Sequence, residues 1–334
     1  MLKTIKNIMI IMLCFVFCLC SQNEEDIFAE IQQNERTSHV VLGGDLIGIE
    51  YTPKGLPIVS VSDEISTGLC VGDVLYAIND NVIYSSKQVS SILNGEDCGK
   101  ELCVTYFRKG KEQSLFLKPT YDLISKKYVL GVWVKNEISG VGTLTYINPN
   151  TGYFGSLGHP ITVFGESEKI GVHSGKIYSC NIVGIAKGAK GVPGELRGVI
   201  SKQDVLGSVQ KNNEYGVFGT IENSKMLKNC SRLIEVGGRK TIKPGNAKIY
   251  CSLKKGEVRG YDIQIIKTNY QNVSNEKSLV FKVVDKDLIK QTGGIVQGMS
   301  GSPIVQNGKL VGAVTHVFTN DSTKGFGIYI DWMM

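Results

Sequence analysis

Residues 297–318 read QGMSGSPIVQNGKLVGAVTHVF, and this stretch decides what the rest of the chain must supply. Ser300 stands between Gly298 and Gly301, with Ser302 and Pro303 behind it. Glycine gives positive φ without steric cost, and serine and proline favour turns, so a tight turn is the plain reading. A nucleophilic serine makes a sharper demand. Bare backbone N–H groups must flank it, so that an oxyanion approaches without meeting a Cβ. Behind the turn, two apolar-rich runs meet at Asn307-Gly308, the mark of a β-hairpin.

The composition agrees with a β-rich chain. The 334 residues are 42% hydrophobic and 20% charged, a globular balance with room for one large or two ordinary domains. Thirty-nine glycines against eight prolines, with short Val/Ile/Tyr/Thr runs between Gly/Asn/Asp clusters, predict strands and hairpins rather than long helices. The net charge of +6 is spread over scattered lysines, without the basic run or interleaved aromatics that track nucleic acid, so no nucleic-acid partner is expected.

The first 21 residues carry Lys3 and Lys6 ahead of an apolar run from Ile8 to Cys20. Its length fits a secretory segment better than a membrane span, so the chain is expected to be exported, with an uncleaved anchor left open because no small-x-small cleavage site precedes Ser21. Residues 22–39 are polar and read as a leader or tether. The six cysteines beyond the apolar segment have no C-x-x-C spacing and no histidine at ligand distance, which predicts neither a metal site nor a disulfide framework and favours buried thiols. The stretch GIAKGAKGVPGELRG at 184–198 lacks the spacing of a phosphate loop. No cofactor is expected.

Between residues 40 and 120 the pattern reads strand, strand, turn, strand, helix, hairpin, the size of a small module. Within it, GLCVGDVLYAINDNVI resembles the GL-x-x-GD-x-I-x-x-ING signature of PDZ domains. The resemblance puts Leu46, Ile47, Gly48 and Ile49 in the carboxylate-binding loop and Val89, Ile92 and Leu93 on the helix wall of a groove. There a peptide C-terminus or an internal segment adds as a strand.

Residues 121–334 show many short alternating runs, the pattern of an all-β sandwich or barrel pair. A catalytic Ser300 needs a general base, drawn from His39, His159, His173 and His316. The stretch from Ser300 to Phe318 resembles the nucleophile region of chymotrypsin-like proteases. That resemblance places Thr315, His316 and Val317 on the substrate-cleft strand and leaves His159, in GYFGSLGHP, as the base. Together with SLVFKVVDKDLIKQTGGIVQGMSGSP, the LGHP histidine and the PDZ signature, the chain resembles the SpoIVB family of sporulation serine peptidases from about residue 40 onward. The family resemblance names Asp285, fifteen residues before Ser300, as the orienting acid in preference to Asp287. Gly298 and Ser300 would supply the oxyanion N–H groups.

The expected fold is therefore mostly β: a small α+β PDZ domain at 40–120 followed by a chymotrypsin-like double β-barrel at 121–334. The family resemblance implies an exported serine endopeptidase acting between the forespore membranes. Its substrates would be the protein itself and a membrane-bound regulator, whose cleavage triggers intramembrane processing of pro-sigma K. The competing expectation is an inert PDZ scaffold that only binds peptides.

Overall fold

Period-two alternation of apolar and polar residues runs through the chain from His39 onward, and the computed structural model turns it into a succession of strands. It describes residues 39–96, 98–163, 171–189, 191–227, 230–254, 256–269 and 275–334. The expected anchor at 1–21 and the leader at 22–38 lie outside the described residues, and among those described no helix is long and apolar enough to cross a membrane.

Two strands come first, β1 (His39–Leu42) and β2 (Leu46–Pro53). A small module follows with β3 (Leu56–Val61), β4 (Val74–Ile78), β5 (Asn81–Val82), a helix at Ser86–Leu93, β6 (Leu102–Arg108) and β7 (Lys111–Leu117). A hairpin of β8 (Thr120–Asp122) and β9 (Lys127–Val129) leads to its last strand, β10 (Val132–Val134). The chain then runs through β11 (Ile138–Ile147), β12 (Tyr153–Ser156), β13 (Val172–Ala186), β14 (Glu195–Asn213), β15 (Gly216–Ile221) and β16 (Leu233–Val236). The last six strands are β17 (Gly245–Lys254), β18 (Glu257–Thr268), β19 (Leu279–Val283), β20 (Pro303–Gln306), β21 (Lys309–Phe318) and β22 (Asp321–Tyr329).

The pairings close two six-stranded barrels. In the first the order is β2, β11, β12, β15, β14, β13 and back to β2. In the second it is β21, β20, β17, β18, β19, β22 and back to β21. Strands β1 and β16 bridge them, since β1 pairs with β11 and β16 while β16 runs parallel to β21. Inward residues such as Ile47, Ile49, Phe154 and Ile177 fill the first barrel, and Ile249, Ile263, Phe281 and Val314 fill the second. Closure pairs every strand of each ring with two neighbours, the usual solution for an antiparallel sheet of this size, while β21 beyond Ala313 has β22 as its one paired strand among the described residues.

The module has its own core of Leu56, Ile58, Leu75, Ile78, Leu102 and Val104. It is inserted between β2 and β11, so the expected boundaries at 40 and 120 shift. The segment LIGIEYTP belongs to the first barrel, and the module takes Val132–Val134 instead. This overturns the assignment of Leu46, Ile47, Gly48 and Ile49 to a carboxylate-binding loop. All four lie in β2 and pair with β11 on one side, and Ile47, Gly48 and Ile49 pair with β13 on the other, so the segment is a barrel strand rather than a loop open to a peptide. Gly48 is a glycine for packing, because a Cβ there would meet the Ile200 side chain at 2.5 Å. The module's sheet order is β10-β3-β4-β6-β7, and among the described residues no strand pairs with the outer edge of β10. On the helix, Leu93 is core at 3% exposure, and Val89 and Ile92 are half-buried against that core. The thiols also differ from expectation: Cys180 and Cys251 are buried, while Cys70 and Cys98 are exposed.

Candidate active site

Ser300 sits in the turn between the helix Lys286–Thr292 and β20, on the second barrel. Gly298 and Gly301 flank it at φ +94° and +91°, in the region that L side chains rarely adopt. A Cβ on Gly301 would lie 2.1 Å from the Thr143 carbonyl oxygen, so the turn depends on that glycine. The Ser302 N–H donates to the Met299 carbonyl at 2.9 Å and closes the turn, while the Ser302 hydroxyl is buried without a partner among the described residues. The N–H groups of Gly298 and Ser300 have no acceptor among the described residues, which leaves two donors beside the serine hydroxyl.

The first barrel holds this turn through two threonines of β11. Thr143 donates its N–H to the Ser300 carbonyl at 2.8 Å and its hydroxyl to the Gly298 carbonyl at 2.8 Å, and the Thr145 hydroxyl donates to the Gly301 carbonyl at 2.7 Å. Both threonines are buried on one face of the strand, where their hydroxyls satisfy carbonyls cut off from water. Sequence reasoning missed them. The available signal was T-x-T inside an apolar run, hydroxyls placed where a strand faces its core.

His159 follows β12 on the first barrel, after Leu157 and Gly158 at φ +65° and +71°. Its Nδ1 lies 2.9 Å from the Pro160 carbonyl oxygen. A carbonyl oxygen can only accept, so Nδ1 carries the proton and Nε2 of the neutral ring keeps its lone pair. Burial holds the His159 imidazole below its ordinary value, against the opposing pull of the Pro160 carbonyl and the charge of Glu276. Asn212 fixes the following segment. Its amide accepts from Ile161 N at 2.9 Å and donates to Ile161 O at 2.9 Å and to the Tyr51 hydroxyl at 2.8 Å, and burial pushes that phenol up to about 12.

Thr315, His316 and Val317 lie on β21 beside the serine. The Ser300 hydroxyl donates to the Thr315 carbonyl at 2.9 Å and shares no hydrogen bond with His159 in this state. The His316 ring stands 5.2 Å from that of His159, and its Nδ1 is buried without a partner among the described residues. Burial, then the neighbouring His159, lower the His316 value, and Glu276 opposes them. The two histidines, Asn275, Glu276 and Tyr215 line one cavity of about 740 Å³. The Thr315 hydroxyl donates to the Glu276 backbone carbonyl at 2.8 Å, which ties that residue's chain to β21.

Asp285 is elsewhere. It caps the helix Lys286–Thr292, with one carboxylate oxygen accepting from Leu288 N at 2.9 Å and the other from Asp262 N at 3.3 Å. Asp287 is in the first turn of that helix and pairs with Arg259 at 3.2 Å. Neither carboxylate reaches a histidine, so the structure assembles no Ser300–His159–Asp285 triad. The reason is local: D-x-x-L followed by a Gly-Gly stop forms a short capped helix, and its aspartate is spent on the cap. The carboxylate whose charge acts on both histidines is Glu276. Of the remaining histidines, His39 opens β1, and His173 in β13 stacks on Tyr84 of the module at 3.8 Å between ring centroids. Among the described residues no group of three or more His, Cys, Asp or Glu side chains could hold a metal ion.

The family described as SpoIVB peptidase S55 matches residues 126–334. No curated protein sequence matches the chain. Among solved structures, the PDZ domain of an SdrC-like protein from Listeria monocytogenes is 21% identical over 24% of this chain and 87% of its own, with a TM-score of 0.23. The HtrA-type protease AlgW, solved with a tripeptide, is 14% identical over 58% of this chain and 54% of its own (TM-score 0.33). The Rv3671c protease from M. tuberculosis in its active form is 15% identical over 58% of this chain and 70% of its own (TM-score 0.31).

Proposed function

The chain belongs to the SpoIVB peptidase S55 family, and from that premise we propose that it is a serine endopeptidase with Ser300 as nucleophile and His159 as general base. The observation that carries the assignment is the His159 Nδ1 bond to the Pro160 carbonyl, which leaves Nε2 as the basic nitrogen of a ring kept neutral by burial. In a charge-relay protease a carboxylate sets that tautomer. Here a backbone carbonyl does so.

The Ser300 hydroxyl leaves the Thr315 carbonyl by rotation about χ1, between staggered wells of similar energy. Its oxygen attacks the scissile carbonyl as its proton passes to His159 Nε2. The N–H groups of Gly298 and Ser300 receive the oxyanion, where one such donor stabilises the transition state by about 3 kcal/mol. His159 then gives the proton to the departing amine, and water repeats the sequence on the acyl-enzyme. The edge of β21 at Thr315–Val317 takes the substrate as an added strand.

The PDZ module supplies peptide capture at the outer edge of β10, beside the helix Ser86–Leu93. Drawing on the family, we take the biological role to be sporulation signalling. The enzyme acts outside the cytoplasm between the forespore membranes, cleaving its own leader and a membrane-bound regulator and so starting the intramembrane processing of pro-sigma K. Residues 22–38 are polar in sequence and offer a self-cleavage site. Mass spectrometry of purified wild-type and Ser300→Ala chains tests this: the wild type shortens within residues 22–38 and the variant stays intact. A wild-type chain that remains intact and cleaves no peptide would leave only the peptide-binding scaffold.

A further inference from the structure

The hairpin β8–β9 breaks a rule of turn composition. Its turn reads Asp122-Leu123-Ile124-Ser125, where small polar residues and glycine are the norm, and Leu123 and Ile124 are 81% and 95% exposed. The turn does not need them for its shape. The Asp122 carboxylate accepts from the N–H groups of Ile124 and Ser125, both at 3.1 Å, and fixes the turn whatever the side chains at 123 and 124 are. The hairpin is also held rigidly at its base. Tyr121 and Tyr128 pack edge to face at 5.2 Å, and the Asn94 amide accepts from Tyr128 N at 2.8 Å and donates to Tyr128 O at 3.2 Å, bolting β9 to the C-terminus of the helix Ser86–Leu93. Two apolar side chains are therefore presented to solvent on a stiff support.

The flanks say what covers them. Lys118, Lys126 and Lys127 are exposed, and none makes an ion pair among the described residues. The one carboxylate between residues 118 and 127 is Asp122, already committed to the turn. An apolar tip of two residues is too small for a protein interface of ordinary area, but it suits the boundary between headgroups and acyl chains, where lysines at the rim meet anionic phosphates. We propose that the β8–β9 hairpin is a membrane-docking element: Leu123 and Ile124 enter the interface of an anionic bilayer, and Lys118, Lys126 and Lys127 contact its headgroups. Because β9 is tied to the helix beside β10, docking sets the peptide-capture edge of the module next to the membrane surface. The inference does not depend on the peptidase assignment.

The test uses the full chain carrying Ile124→Trp, an exposed position that tolerates the change, with the wild type and its two tryptophans as the reference. Vesicles containing phosphatidylglycerol are expected to shift the emission of the added indole to the blue and to expose it to quenching by brominated acyl chains. Pure phosphatidylcholine vesicles should do much less. Changing the three lysines to glutamine should weaken the anionic response about 100-fold, from roughly 5-fold per charge near such a surface. Vesicle-bound chain whose added indole emits as in water would overturn the proposal, since residues outside the hairpin would then do the binding. Equal responses on neutral and anionic vesicles would overturn the assigned role of the lysines.

Discussion

Asp285→Asn separates a catalytic carboxylate from a structural one. Asparagine caps a helix about as well as aspartate and still accepts from Leu288 N, so the cap survives while the charge is lost. If Asp285 is a cap, the variant should lose only the bond from Asp262 N, about 0.5–1.5 kcal/mol in urea unfolding, and less than about threefold in kcat/KM. Asp285→Ala removes the bonds from both Leu288 N and Asp262 N. A lost cap costs about 1 kcal/mol and a further hydrogen bond about 0.5–1.5, so a destabilisation of about 1.5–2.5 kcal/mol is expected, with activity per folded molecule retained. A triad aspartate behaves oppositely, because its replacement by asparagine leaves the geometry intact and lowers kcat by about 10⁴. The assay is hydrolysis of a peptide copied from residues 22–38, scaled to titrated active sites, alongside urea unfolding of each variant. A folded Asp285→Asn chain that loses three or more orders of magnitude would refute the helix-cap reading and require a conformation in which the carboxylate reaches His159.

Ser300→Ala and His159→Ala should each abolish peptide hydrolysis and leave the circular dichroism unchanged, since both side chains are only partly buried. Glu276→Gln removes a charge that raises both histidines, so the acidic limb of the kcat/KM profile, which reports the need for neutral His159, should move to lower pH; an unmoved limb would exclude Glu276 from the site. Thr143→Val keeps the shape and leaves the Gly298 carbonyl without its donor, which should cost about 1–3 kcal/mol in urea unfolding and lower kcat more than it raises KM. His159 and His316 both titrate below the ordinary 6.5 when folded, so the unfolded chain binds protons first as pH falls. Their contribution to stability is complete above 6.5 and is lost as the pH drops through the folded values, and His316→Gln should flatten that decline.

Short-range physics determined much of this protein. Alternation from His39 onward and the Asn307-Gly308 turn made a β-rich fold legible, and the glycines around Ser300 marked a turn that accepts no Cβ. What the linear order could not decide was which strand pairs with which. LIGIEYTP has the pattern of any buried strand, and only closure of the first barrel takes it from the PDZ module and gives the module Val132–Val134 instead. Asp285 is the same lesson at the scale of a side chain. Its spacing from Ser300 is a property of the sequence, but a carboxylate bonds to the nearest donors, and those are the N–H groups of its own helix and of Asp262. The partners of His159 come from distant segments of chain: Asn212 steadies the loop beside it, Glu276 lends charge and His316 packs against it. Such contacts form only when two barrels bring loops more than fifty residues apart to one cavity.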